Sequence, residues 1–240
     1  MDLGDVWQQV IGTQPTPPDA VVLVTGLAAL VLTGWQPAWR VLRGVLTIAH
    51  EGGHAAAATL TGRQLLGVRL HSDTSGLTVS RGRSTGPGMV FTLAAGYVAP
   101  SLLGLGGVAL LGNGRITALL WSSIVLLGVM LLLIRNVYGV VSVVGTATVV
   151  FLLSWYGTAA VQAAFGYLLV WFLLLASPRP VLELPRLRRG GRARDSDADQ
   201  LARLTGVAAT GWIVLFGALT LAAAATGVYW LVPWDLLAAQ

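Results

Sequence analysis

Residues 47–62 read TIAHEGGHAAAATLTG and place His50, Glu51 and His54 in a run otherwise built of small and apolar side chains. The whole chain has three histidines and two glutamates, so this stretch holds two of the first and one of the second. Positions i and i+4 of a helix share a face. Both imidazoles can therefore reach one Zn2+ ion, with Glu51 beside them to take a proton from water. Random placement of so few His and Glu residues yields H-E-x-x-H with a chance of roughly 3 in 10,000, which makes coincidence a poor explanation. The bland role for such side chains is polar glue between membrane helices. An ionisable group at membrane depth is costly, however, and by default marks function.

Composition fixes the solvent. The 240 residues are 55% hydrophobic and 10% charged, with mean hydropathy +0.74, whereas soluble domains are about a quarter charged. The expected fold class is an all-α polytopic membrane protein in the lipid bilayer. It has six to seven transmembrane helices and forms a single membrane-embedded domain over residues 1–240. All fifteen basic residues are arginines in the connections between apolar runs, a pattern that orients a membrane protein and argues against a nucleic-acid partner. The absence of cysteine leaves metal binding to His, Asp, Glu or Asn.

Apolar runs suggest spans at 20–34, 42–62, 88–112, 117–135, 137–157, 159–176 and 207–231. The first nineteen residues carry Asp2 and Asp5 and no basic residue, unlike a cleaved signal peptide. After the H-E-x-x-H run, Val68 and Leu70 alternate with Arg69 and His71. Past TSG, Leu77 and Val79 alternate with Thr78 and Ser80, the pattern of a β-hairpin. Residues 177–206 are polar, Arg-rich and interrupted by Pro and Gly, the mark of a loop outside the hydrocarbon.

With that loop on the cytoplasmic side, alternation of seven spans puts the N-terminus, the hairpin and the 135–137 junction there too. Residues 35–41 and 113–116 then lie outside, with the C-terminus. Twelve arginines fall inside against Arg40, Arg43 and Arg115 outside. The expected location is a bacterial cytoplasmic membrane, with the histidines nearer its cytoplasmic side. Trp35, Trp39, Trp230 and Trp234 sit near span ends, as in an interfacial belt. Gly52 and Gly53 imply either close backbone approach or ordinary small-residue packing.

Over about residues 42–146 the chain resembles the site-2 protease-like intramembrane zinc metalloproteases, and more narrowly their actinobacterial peptidase-like branch. The shared order is a helix with HEGGH, a membrane-associated β-hairpin, a helix from GPGMVFTLAAGYVAP and a third helix. Helices 147–176 and 207–231 are additions to that core. The resemblance implies zinc on His50 and His54, water activation by Glu51, and a third ligand from an Asp in the pattern N-x-x-P-x-x-x-L-D-G. The best match is NVYGVVSVVG at 136–145, where Asn136 and Gly145 agree, Gly139 replaces Pro, and Val144 replaces the Asp. No Asp or Glu occurs in the spans from 88 to 176, so an acidic ligand must come from a loop. Asp197 in DSDADQLARLT is the first choice and Asp199 an alternative. Ser196 or Asp197 equally suits the cap of a short helix 198–205. Asn136 offers a weaker amide oxygen or satisfies free backbone, and His71 and Asp73 suit turn chemistry at the hairpin tip.

Two functions follow. One is a zinc-dependent endopeptidase that cleaves transmembrane segments, held extended by pairing with the hairpin edge. The other is a protease-like scaffold or chaperone that binds transmembrane partners without cleaving them, as the Val144 substitution suggests. A transporter fits less well, since no repeat between halves is visible.

Overall fold

The computed structural model describes residues 3–190 and 195–234; Asp2, Arg192 and Arg194 of the sequence argument lie outside them. The chain order is α1 (Leu3–Ile11), α2 (Asp19–Gly34), α3 (Gln36–Leu60), β1 (Gln64–Leu70), β2 (Gly76–Arg81), α4 (Pro87–Gly112), α5 (Ile116–Leu133) and α6 (Val137–Tyr156). It continues with α7 (Ala159–Ala176), α8 (Pro178–Arg189), α9 (Asp197–Thr205) and α10 (Ala209–Leu231). Among the described residues five helical stretches are long and apolar enough to cross a membrane, and the α2–α3 pair makes a sixth if taken as one broken span. The expected bundle with a small hairpin is therefore the fold.

The seven-span topology is corrected at its first element. Gly34 and Pro37 end one helix and start another, and the chain bends by 101° between them. The bend does not return α3 across the bundle from the opposite face. Trp171 Nε1 donates to Val22 O early in α2 (3.1 Å), and Arg179 donates to Thr33 O late in α2. So α2 runs in the same direction as α7–α8. At the bend, Arg179 Nη2 donates to Gln36 Oε1 (2.6 Å), and Arg43 lies 3.5 Å from Glu183. Residues 35–43 therefore share the region of α8 rather than the opposite side. At the far end, Gln14 N donates to Gly114 O (2.7 Å) and Arg115 to Ile11 O (3.2 Å). The N-terminal arm thus meets the 113–116 turn. Arg43, expected on the opposite side, therefore lies at the α8 end, while Arg115 lies at the other.

Within the segment expected to be a loop, residues 178–189 and 197–205 are helical. Helix α8 extends α7 into one 31-residue stretch, Ala159–Arg189. Pro178 and Pro180 sit in its first turn, where a missing N–H is harmless. Val181 and Leu184 of α8, Ala198 and Leu201 of α9, and Leu93 and Phe216 form one buried cluster. Trp39 departs from the interfacial belt: it is 1% exposed, under the Arg179 guanidinium at 4.4 Å, whereas Trp35, Trp230 and Trp234 are exposed.

The hairpin pairs β1 antiparallel with β2, from Gln64 opposite Arg81 to Leu70 opposite Gly76. The two strands use alternation in opposite senses. Val68 and Leu70 of β1 are buried against Ile48, Ala55, Ile134 and Val143. In β2 the polar Thr78 and Ser80 turn inward and Leu77 and Val79 outward. The outer edge of β1 is occupied. Arg135 N donates to Val68 O (2.8 Å), and the Asn136 amide pairs with both backbone groups of Leu70 (3.1 and 2.7 Å). Among the described residues no strand pairs with the outer edge of β2.

The bend predicts an accessibility result. With one broken span in place of two crossings, Thr16→Cys and Arg189→Cys label from opposite faces of the membrane with an impermeant thiol reagent. Seven full crossings put both on one face, and labelling from the same face contradicts the broken span.

Candidate metal centre

The centre is built where α3 and α4 come closest. A Cβ at Gly53 would lie 2.4 Å from Ala99 Cβ and 2.8 Å from Ala95 O, so close backbone approach requires that glycine. Gly52 meets only Met130 Sδ at 3.4 Å, an ordinary contact. The tight crossing turns His50 and His54 toward α4, where Gly96 leaves them room. A Cβ there would stand 2.4 Å from His54 Nε2 and 2.7 Å from His50 Nε2.

Asp197, the first residue of α9, reaches both imidazoles. Its Oδ2 lies 3.2 Å from His50 Nε2 and 3.3 Å from His54 Nε2, and the two Nε2 atoms are 3.1 Å apart. Zinc bonds of about 2.0–2.1 Å in a tetrahedron put ligand atoms about 3.3 Å from one another, so three donors already stand at a face of the right size. The tautomer agrees. His54 Nδ1 faces Thr92 O at 2.7 Å, and a carbonyl can only accept, so Nδ1 carries the proton. The lone pair of neutral His54 is thereby on Nε2, aimed at a second nitrogen and a carboxylate oxygen. A cation in the middle relieves that crowding of acceptors.

The cap and the carboxylate prove to be neighbours rather than rivals. Ser196 is the N-cap of α9: its Oγ accepts from Asp199 N (3.4 Å) and donates to Asp199 Oδ2 (2.6 Å). Asp197 is left free to point at the histidines. Asp199 pairs with Arg188 at 2.7 Å and does not join them. Asn136 is spent on Leu70. At the hairpin tip Asp73 Oδ1 accepts from Ser75 N (2.9 Å) and Ser75 Oγ (2.6 Å), and these bonds hold its carboxyl low. Val144 is 42% exposed on α6, while its neighbour Val143 packs inward.

Glu51 is 3% exposed and turns from the same helix toward the hairpin. Thr78 Oγ1 donates to Glu51 Oε2 at 2.6 Å, and the carboxylate lies over Gly76, where a Cβ would be 2.4 Å from Oε1. A cavity of about 680 Å³ joins these groups, lined by His50, Glu51, His54, Thr78, Tyr97 and Asp197 among others. Thr78 and Gly96 were not singled out by sequence. The only trace of Gly96 is the small-residue run LAAG facing HEGGHAAAA.

Gly96 carries the sharpest local prediction. Gly96→Ala forces the imidazoles apart, and bound zinc falls from about one per chain to below about 0.1, while Gly52→Ala retains it. Metal analysis of the two purified variants checks this, and full zinc in Gly96→Ala contradicts the geometry.

A family model described as Peptidase M50B-like matches residues 23–227. A search of the curated proteins and of the solved structures gives no match. The family match runs from within α2 to within α10 and takes in both histidines, Glu51 and Asp197. The chain belongs to the Peptidase M50B-like family, a peptidase family of the site-2 protease kind.

Proposed function

We propose that the protein is a zinc-dependent intramembrane endopeptidase that cleaves transmembrane segments of membrane proteins, with His50, His54 and Asp197 as metal ligands and Glu51 as general base. The observation that carries this reading is the near-equilateral triangle of donor atoms, 3.1 to 3.3 Å on a side, beside a buried carboxylate. Bound there, zinc supplies Lewis acidity toward a peptide carbonyl and lowers the pKa of water.

The remaining chemistry belongs to the chain's own side chains. Glu51 accepts the proton of the attacking water and returns it to the amide nitrogen that leaves. Its Oε2 is already committed to the Thr78 hydroxyl, so Oε1 is the oxygen with capacity for that proton. Thr92 O fixes the ring of His54 and its tautomer. The unpartnered edge of β2 runs along the cavity, and an unwound transmembrane peptide added to that edge passes the three donors in extended form. Burial in the helix bundle limits water to what the cavity admits.

The scaffold alternative drew its support from Val144. Asp197 of α9 stands within 3.3 Å of both imidazoles, which weighs against reading the motif as a relic.

Glu51→Gln separates turnover from binding. The amide keeps the shape but cannot accept the water's proton, so the variant retains about one zinc per chain and loses cleavage of a model transmembrane substrate by about 10²-fold or more. Equal cleavage by wild type and variant rules out the base role. Cleavage by neither, with partner binding intact, favours the scaffold.

A further inference from the structure

The cavity holds a second charged feature that hydrolysis does not use. Among the described residues Arg43 is the one arginine that lines the cavity, and it shares a helical face with Thr47, His50 and His54. An arginine on a membrane helix is costly enough to demand a partner, and the partner here is only half available. Glu183 Oε2 lies 3.5 Å from Arg43, while Glu183 Oε1 accepts from Arg179 Nε at 2.9 Å. Arg179 is further served by Thr33 O, by Gln36 and by the Trp39 ring. Two guanidinium groups thus share one carboxylate, and the better-satisfied one is Arg179. Arg43 keeps a side chain 32% exposed and a surplus positive charge.

Its place along α3 sets its range. Seven residues separate Arg43 from His50, about 10.5 Å of helix, and an extended peptide covers that in about three residues at roughly 3.3 Å each. Around this part of the cavity stand Leu46, Pro100, Ser177 and Pro180, protein on several sides rather than open lipid. A guanidinium there suits a carboxylate, which it can bind in a bidentate fork. We propose that Arg43 forms an anion subsite of the peptide groove, selecting substrates with an Asp or Glu side chain about three residues from the bond that meets His50 and His54. The inference rests on the peptidase reading for its occupant, but not on turnover for its test.

The experiment uses zinc-loaded Glu51→Gln protein in lipid nanodiscs, so that nothing is consumed. Synthetic transmembrane peptides are compared in pairs that differ only by Asp or Asn at one position, moved stepwise along the central residues. At one or two adjacent positions the Asp peptide binds at least about tenfold tighter. That preference disappears on adding Arg43→Gln, while zinc content and the affinity for Asn peptides stay unchanged, and Arg43→Lys keeps part of it. Equal binding of Asp and Asn peptides at every position overturns the subsite and leaves the peptidase reading intact. So does a preference that survives Arg43→Gln, or a loss that strikes Asp and Asn peptides alike. If no peptide binds at all, the groove falls together with its subsite.

Discussion

Two imidazole nitrogens and a carboxylate oxygen within 3.3 Å of one another form an arrangement that is poor on its own. With its Nδ1 proton given to Thr92 O, His54 presents a lone pair to another nitrogen and to an anion. Much of the surrounding architecture bears on this crowding. Gly53 lets α3 and α4 approach, Gly96 makes room for both rings, and Ser196 takes the capping duty that would otherwise draw on Asp197. The packing of Ala198 and Leu201 beside Leu93 and Phe216 then fixes α9 at the height of the histidines.

The hairpin joins this centre to whatever enters the cavity. Asn136 and the Arg135 backbone close the outer edge of β1 and leave that of β2 open. The same β2 strand donates the Thr78 hydroxyl to Glu51. The inward turn of Thr78 and Ser80 and the outward turn of Leu77 and Val79 follow from this. A buried carboxylate needs a donor, and the strand's apolar side can face lipid without cost.

How far the sequence reaches differs from element to element. The pattern H-E-x-x-H is local, so its helix and its two-histidine face were readable, as were the hairpin and most helices. Asp197 came first among loop candidates only because the family resemblance points to a missing Asp at Val144 and the spans from 88 to 176 hold no acidic residue, while Asp199 and Asn136 stayed open. What the sequence withheld is direction. Gly34 and Pro37 announce a break, but the 101° bend after it is set by Trp39 under Arg179 and by Arg43 near Glu183, partners about 140 residues away. Helix α8 was hidden behind its prolines, which sit where a helix tolerates them or where tertiary packing on α10 and α9 compensates. The facing of β2 depends on Glu51, which no alternation rule includes.

The departure from the family pattern makes α9 the element on which the account turns. The carboxylate that stands beside the two histidines lies in the segment between the last two spans, and no acidic residue lies at the matching place on the third core helix. The most direct test is zinc affinity by chelator competition for wild type, Asp197→Ala and Asp199→Ala, with unfolding of the metal-free proteins measured alongside. Loss of one of three protein ligands weakens Asp197→Ala by about 10²-fold or more, with metal-free stability little changed, while Asp199→Ala keeps wild-type affinity and loses about 1 kcal/mol with its part in the cap. Wild-type zinc affinity in Asp197→Ala would contradict the account, because the triangle of donors would then be a packing arrangement and not a metal site.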